Sequence, residues 1–443
     1  MNTEPALPKV IKAVTLNLLE PSRHKAVALE RLHQDYTACA IDVMQDTQLL
    51  RFAHSMGMPY NRNLLHKMTY PHYRKKYPAL SSQLIESARI SAFNRRKVAR
   101  SISRIPVRYD QRTFSVKKTA KGNPLISFAT DGRKRVIIPI AKDGAYRRAQ
   151  ENISQGWKLT SVLLLRDHRR LQFILTKSFD RATERANVLG VDVGSRRLAA
   201  VTIIAGGKTL KQLYLGRDIG KKQKAYIERR ARLQSKGTRK AWKALRRLRH
   251  RQRNFVTTRS WQVAHEAVNL AEKYQCLIRV ENLKRLKTGR RMGNSKGRKA
   301  NGVINRIPYA QFFMALDSLC VQKRIGLQRV KPRHTSQYCP RCGKACRKNR
   351  ISPYKVFRCV FCGYTCDADR NASRNVANNI GERTITIVGP NMVSHVQTSP
   401  MGAAVNQPVR PHDGVIGCLQ HLRFHLMEKP TAQAGGCLPS QIL

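Results

Sequence analysis

Four cysteines constrain this chain more than any other residues. Cys339-Pro-Arg-Cys342 and Cys359-Val-Phe-Cys362 are two CxxC pairs with 16 residues between them. At that spacing two thiolate knuckles can close round one tetrahedral zinc. Gly343 and Gly363 follow the knuckles, where the backbone has to curl so that amides face the sulfurs. Four thiolates leave no open position for water, so the expected Zn2+ is structural. Cys346 and Cys366 lie in the same stretch but exceed what a tetrahedral site needs, and they read as spectators. Six of the 11 cysteines fall between Cys339 and Cys366. With no secretory h-region at the N-terminus, this clustering points to metal binding in a reducing compartment rather than to disulfides. Cys39, Cys276, Cys320, Cys418 and Cys437 are scattered and read as buried or idle thiols.

Charge narrows the choice of partner. Lys and Arg number 85 against 26 Asp and Glu, a net charge of +59 over 443 residues. A folded protein carrying that much self-repulsion is expected to meet a polyanion. No apolar run approaches the roughly 20 residues of a membrane span, and no amphipathic anchor or lipidation signal stands out. Nucleic acid is therefore the expected partner, no membrane is expected, and the expected location is cytoplasmic. Residues 216–259 concentrate the charge in a helical pattern that should hairpin near Gly237. Arg229, Arg230, Arg246, Arg247, Arg249 and Arg251 are its candidate phosphate contacts. A solvated face is the plainer explanation for such a run, but its density and length favour phosphate tracking. Residues 285–301 are rich in Lys, Arg and Gly and read as a mobile loop.

The chain divides by pattern. Residues 10–18 alternate as a strand, with Val10, Val14, Leu16 and Leu18 on one side. Helical, basic-faced sequence follows to about Arg104, and residues 106–178 return to strands separated by turn signals. This order fits a first strand split from its sheet by a helical insertion, or two unrelated small domains. From Val188 two apolar runs follow one another, Val188-Leu-Gly-Val-Asp-Val-Gly and Leu198-Ala-Ala-Val-Thr-Ile-Ile. A third strand is expected at Cys276–Glu281 and a helix through Phe312, Ala315, Leu316 and Leu319. A strand should follow at 326–330, then the cysteine cluster and a short helix from about Arg370. Beyond Gly381 little periodicity remains, and the tail is expected to lack order.

Three acids stand out against this background. Asp192 interrupts one apolar strand, Glu281 ends another, and Asp369 sits at a helix start in Asp367-Ala-Asp-Arg-Asn. A carboxylate in or beside a central strand is costly to desolvate unless a cation offsets it. Two Mg2+ ions held by such a set can activate water and stabilise the leaving oxygen of a phosphodiester. Singly, each acid has an ordinary reading as an N-cap, a salt-bridge residue or a turn residue. Together, in so basic a chain, they read as a nuclease site.

The motifs carry a resemblance. Val-Leu-Gly-Val-Asp-Val-Gly, Arg279-Val-Glu-Asn-Leu, His334-Thr-Ser-Gln-Tyr-Cys-Pro-Arg-Cys-Gly and Asp367-Ala-Asp-Arg-Asn-Ala-Ser-Arg-Asn-Val resemble, in this order, the TnpB family. These are transposon-encoded RNA-guided nucleases related to compact type V CRISPR effectors, and the match runs over about residues 10–381. The resemblance implies an α/β, RuvC-like RNase H fold with an inserted zinc ribbon. It also implies an N-terminal wedge β-barrel split by a helical recognition domain. On this reading 1–23 and 106–186 form the barrel, 24–105 the insertion, 187–335 and 365–386 the nuclease, 336–364 the ribbon and 387–443 a disordered tail. Asp192, Glu281 and Asp369 match the family's three acids, with Asp369 rather than Asp367 as the third. Asn371 matches its Asn. The family's Ala-Ala after that Asn is Ala372-Ser373 here, a mild departure. The resemblance implies a guide RNA and a target double-stranded DNA as partners of a monomer or homodimer, in a prokaryotic, nucleoid-associated setting. Two other classes compete: an RNA-guided regulator without cleavage, disfavoured because all three acids are present, and a DDE-type transposase. The latter orders its acids Asp, Asp, Glu, whereas this chain runs Asp, Glu, Asp.

Overall fold

The structure, a computed structural model, describes residues 7–46, 62–96, 104–130, 134–195, 197–283, 307–351 and 355–380. The basic loop expected at 285–301 and the tail expected to be disordered, with Cys418 and Cys437, lie outside the described residues.

Alternation along the first strand places it in an antiparallel sheet. In β1 (Lys9–Asn17) Val10 is buried while Ile11 is exposed, and Leu16 and Leu18 carry the buried side onward. Its partner is β7 (Arg170–Ser178), in register from Lys9 opposite Ser178 to Asn17 opposite Arg170. Beyond β7 come β6 (Lys158–Leu164) and β2 (Val107–Asp110), giving the order β1-β7-β6-β2. A second sheet runs β3 (Phe114–Lys118), β4 (Pro124–Ala129), β5 (Arg135–Pro139). The two sheets meet where β1 ends: Leu18 bridges Ile140, and the Leu19 N–H donates to the Pro139 carbonyl. Helices α1 (Arg23–Gln45), α2 (Arg62–Lys76) and α3 (Ser82–Arg96) lie in the chain between β1 and β2. Leu29 and Tyr36 of α1 and Leu84 and Ala88 of α3 share one core with Leu16, Val107 and Phe173. A shared core excludes the reading of two unrelated small domains.

The run of strands expected over 106–178 is interrupted by a helix, α4 (Gly144–Ser154). It buries only Tyr146 and Ala149, too thin an apolar side to register as a period. Asp143 caps it, its carboxylate accepting from the amides of Ala145 and Tyr146 at 2.9 and 3.0 Å.

The apolar runs from Val188 onward build a mixed sheet. Its strands are β8 (Asn187–Val193), β9 (Ala199–Ala205), β10 (Lys208–Leu215), β11 (Cys276–Glu281) and β12 (Leu327–Val330). They stand in the order β10-β9-β8-β11-β12, antiparallel from β8 to β10 and parallel from β8 to β12. The sequence reading did not find β10, whose Lys208, Leu210 and Lys211 face solvent at the sheet edge. The basic stretch forms α5 (Arg217–Ser235) and the first half of α6 (Arg239–Lys273), hinged at Gly237 with φ 59°. The apolar second half of α6 (Val263, Ala264, Ala267, Val268, Ala271) packs with Phe312, Ala315 and Leu316 of α7 (Tyr309–Gln322) over one face of the sheet. Leu189, Val191 and Val193 of β8 and Ile278 and Val280 of β11 point into that core.

The alternate residues point the other way, toward α8 (Ala368–Ala377). A Cβ on Gly190 would come within 2.4 Å of the Ser373 carbonyl oxygen and 2.5 Å of the Ala377 nitrogen. Glycine is what lets α8 lie directly on β8. Between β12 and α8 a small sheet, β13 (Arg350–Ile351), β14 (Val356–Arg358) and β15 (Thr365–Asp367), carries the cysteine knuckles.

Candidate functional site

Side-chain alternation decides where the acids go. Asp192 is two residues beyond Gly190 on β8, and Glu281 two beyond Arg279 on β11, so both share the face that α8 covers. The last parallel pair in register is Val191 with Val280. Asp192 and Glu281 follow at the same level on neighbouring strands, which stand about 4.8 Å apart. Asp369 is in the first turn of α8, with Asp367 as its N-cap: the Asp367 Oδ1 accepts from the amides of Asp369 and Arg370 at 2.9 and 3.2 Å. This division of labour separates the two aspartates of the motif. The helix itself begins at Ala368, two residues ahead of the expected start.

α8 is fastened on every side. Ser373 bonds Thr202 of β9 at 2.6 Å, both side chains being fully buried. Asn371 and Asn375 donate to the Tyr338 carbonyl, and Asn375 also to that of Thr335. Arg279 donates to the Ala377 carbonyl at 2.6 Å, at the C-terminal end where a cation is favoured. The Ser373 that departs from the family's Ala is therefore a partner for a buried threonine rather than a neutral change.

The electrostatics follow from crowding. Burial, then the carboxylates of Glu281 and Asp369, push the Asp192 carboxyl well above its ordinary range. Burial also raises Glu281, against the Thr335 hydroxyl, which donates to its Oε1 at 2.5 Å, and the Arg350 guanidinium. Arg350 reaches both carboxylates electrostatically from the cysteine-bearing sheet. Burial and the charges of Asp192 and Glu281 together raise the Tyr309 phenol, placing the head of α7 beside the acids. Arg197, on the β8–β9 turn, lies 3.4 Å from the Asp367 carboxylate and 3.6 Å from that of Asp369. Its guanidinium stacks 3.5 Å from the Tyr214 ring centroid, with those of Arg370 and Arg217 at 5.2 and 5.3 Å. A cavity of about 840 Å³ opens beside this cluster, lined by Gly194, Arg197, Arg217, Lys221, Lys224 and Ile307. Carboxylates crowded together in a buried site are a donor set that fits hard cations, with a basic cavity next to it for an anionic chain.

The sequence reading missed Tyr309, Arg350, Arg197 and Thr335 as neighbours of the acids. Only Thr335 carried a signal, inside His334-Thr-Ser-Gln-Tyr. The others arrive through the β8–β9 turn, the head of α7 and the ribbon, which no local pattern links to Asp192.

The knuckles converge as a unit. Sγ of Cys339 and Cys362 are 3.6 Å apart, those of Cys342 and Cys359 3.5 Å, and all four lie within 4.8 Å of one another. Zn–S bonds of about 2.3 Å imply tetrahedral S–S edges of about 3.8 Å, close to these separations. Gly343 and Gly363 take φ 73° and 72° and donate to the Cys339 and Cys359 carbonyls. Cys346 and Cys366 are not in the group, and Cys39, Cys276 and Cys320 are buried and free.

The candidate arginines gather on the α5–α6 hairpin, not at the acids. Arg229, Arg246, Arg247, Arg249 and Arg251 are exposed. Arg230 is half-buried and donates to Gln252, joining the two helices.

Residues 309–376, from α7 through the ribbon into α8, match the Cas12f1-like, TNB domain family. The chain is 25% identical over 264 residues to the CRISPR-associated endodeoxyribonuclease Cas12f1 of Sulfoacidibacillus thermotolerans, covering 55% of this chain and 59% of that one. It is 28% identical over 205 residues to a putative RNA-guided DNA endonuclease, InsQ, of Escherichia coli (strain K12), covering 43% and 48%. The resemblance to the TnpB family holds. A TnpB-like protein of Aquifex aeolicus (strain VF5) is 27% identical over 261 residues, 52% of this chain and 81% of its own. Except for that match, the chain spans about half the length of these curated relatives. A Cas12f1 chain solved with sgRNA and target DNA superposes with a TM-score of 0.56 at 12% identity, covering 84% of this chain and 99% of that one. That likeness is one of fold. Among the described residues no helix is long and apolar enough to cross a membrane.

Proposed function

We propose that this TnpB-like chain is an RNA-guided DNA endonuclease that hydrolyses target DNA beside a short flanking motif. The observation that carries the reading is the placement of Asp192 and Glu281 on neighbouring parallel strands, with Asp369 brought over them on α8 so that its charge acts on Asp192. The mixed sheet with α6, α7 and α8 is then a RuvC-like RNase H fold, and the cysteine unit a zinc ribbon inserted before its last acid. The sheets of residues 9–17 and 107–178 form the wedge barrel, with α1, α2 and α3 as the recognition insertion.

In this reading Asp192, Glu281 and Asp369 are the residues that would hold two Mg2+ ions. When bound, such ions supply an activated water and stabilise the leaving oxygen of the phosphodiester. The chain's own residues do the rest. Thr335 fixes one oxygen of Glu281 and leaves the other available as a ligand. Asp367 holds the first turn of α8, and so the position of Asp369, while Arg197 ties both to the β8–β9 turn. Arg217, Lys221 and Lys224 give a DNA strand a cationic path along the neighbouring cavity. A guide RNA pairs with one DNA strand, and the protein holds the heteroduplex by its backbone.

The test is to sequence the RNA that copurifies with the protein and supply it with DNA matching its guide segment. Cleavage of that DNA is expected, and loss of it in Asp192→Ala with RNA still bound. Cleavage in EDTA, or undiminished cleavage by protein stripped of RNA, would sink the proposal.

A further inference from the structure

Trp242 lies outside the protein's hydrophobic cores. It is 60% exposed in the first turn of α6, whereas Trp157 is 4% exposed and Trp261 packs on the core. Among the described residues no other ring or guanidinium stacks on it. An indole left in water forgoes the burial that makes large aromatic side chains useful, so its exposure is a cost to the isolated chain.

Its surroundings say what would cover it. With 3.6 residues per turn, Trp242, Arg246, Arg249 and Arg253 fall on one face of α6 at i, i+4, i+7 and i+11. All four are exposed, while Ala241 and Leu248, on a different side of the helix, are buried. The arginines recur about once per 5.4 Å turn. No carboxylate occurs between Glu228 and Glu266 to compete for them. An apolar protein surface would cover the ring but strand the guanidiniums. A nucleotide strand satisfies both, since a base offers a π-face and its phosphates meet the cations. The base has to be unpaired, because in a duplex its faces are already stacked.

Position favours RNA over the cleaved strand. From Lys273, where α6 turns back into β11, Trp242 is about 46 Å along the helix by its rise. Glu281 stands only about 17 Å along β11 from Cys276. Measured from their shared turn, the indole is thus much farther along its element than Glu281, toward the tip of the α5–α6 hairpin rather than toward the acids. We infer that Trp242 is a stacking platform for an unpaired base of bound RNA, with Arg246, Arg249 and Arg253 holding the phosphates that follow. The inference rests on the nucleic-acid reading above.

The test uses the full chain stripped of nucleic acid, with a short oligoadenylate RNA, its DNA counterpart and a blunt RNA duplex as probes. Trp242→Ala should weaken oligoadenylate RNA binding about tenfold, while Trp242→Phe, which keeps a ring, stays near wild type. Binding of the blunt duplex and the salt slope should not change, because no phosphate contact is lost. Wild-type tryptophan emission should be quenched by the RNA, and most of that quench should be missing in Trp242→Phe. Equal RNA affinity in Trp242→Ala, or an equal loss on the blunt duplex, would overturn the inference. An effect confined to the DNA probe would assign the platform to a DNA strand instead. Self-association of wild type that Trp242→Ala abolishes would assign it to a second copy of the chain. Wild type that binds none of the probes would remove the nucleic-acid reading itself.

Discussion

At the scale of single residues, the motif Asp367-Ala-Asp369 assigns two chemically identical side chains to different work. The Asp367 carboxylate is spent on helix amides and on Arg197. Asp369 leans over the sheet, where its charge raises Asp192. Asp369→Ala should therefore abolish cleavage while leaving the melting temperature nearly unchanged. Asp367→Ala should cost about 1 kcal/mol, as a lost N-cap does, and only reduce the rate. A cleavage assay beside a thermal melt separates the two, and the reverse pattern would show that the third acid is Asp367. Thr335 offers a finer probe. Thr335→Val removes the hydroxyl donor to buried Glu281 but keeps the shape, so the turnover rate should fall about tenfold, a loss of roughly 1.4 kcal/mol. Thr335→Ser, which restores the donor, should recover most of it. Equal rates for the valine and serine variants would mean that the hydroxyl does not orient Glu281.

At the scale of elements, legibility in the sequence tracks how far each element's neighbours lie along the chain. β8, β9 and β11 announce themselves because both of their faces are covered and they read as apolar runs. The knuckles are legible because their chemistry is local. β10 and α4 are not, since one is a polar edge strand and the other buries two residues. The acids could be picked out individually, but Arg350, Arg197 and Tyr309 reach them only through tertiary packing. Gly190 lies between these cases: the sequence displays it in Leu-Gly-Val-Asp, yet its reason is the backbone of α8, 183 residues onward at Ser373. Gly190→Ala would drive a methyl into the Ser373 carbonyl and the Ala377 amide. Backbone cannot yield as a side chain does, so the cost should be about 3 kcal/mol, the upper end of overpacking. Cleavage should fall with it as Asp369 is lifted, measured by urea unfolding and a cleavage assay. The ribbon gives the second prediction at this scale. Cys339→Ser should lose the bound zinc by elemental analysis, whereas Cys346→Ser, outside the four-sulfur group, should keep it. Because β15 ends on the residue that caps α8, zinc loss should also lower cleavage.

At the scale of the whole molecule, charge is the dominant fact, and it is distributed unevenly. The few acids are mostly spoken for: Asp192 and Glu281 lie at the sheet, and many of the others are tied up in ion pairs such as Glu30 with Arg104 and Asp218 with Arg259. The cations are left outward, above all on the α5–α6 hairpin. Such a surface repels itself, and a polyanion relieves the repulsion while releasing its own counterions. The affinity for RNA should therefore fall steeply and linearly in a plot of log K against log salt. Each exposed arginine that meets a phosphate contributes about one unit to that slope. Reversing Arg247 and Arg249 together to Glu should flatten the slope by about two and weaken binding across all RNA sequences alike. Reversing Arg230 should act differently, because its side chain is engaged with Gln252 between the helices. It should lower the melting temperature of the free protein more than it changes the salt slope. Filter binding over a salt series, paired with melts of the free variants, distinguishes the two. A slope unmoved by the Arg247 and Arg249 reversals would show that the hairpin's charge is only a solvated face.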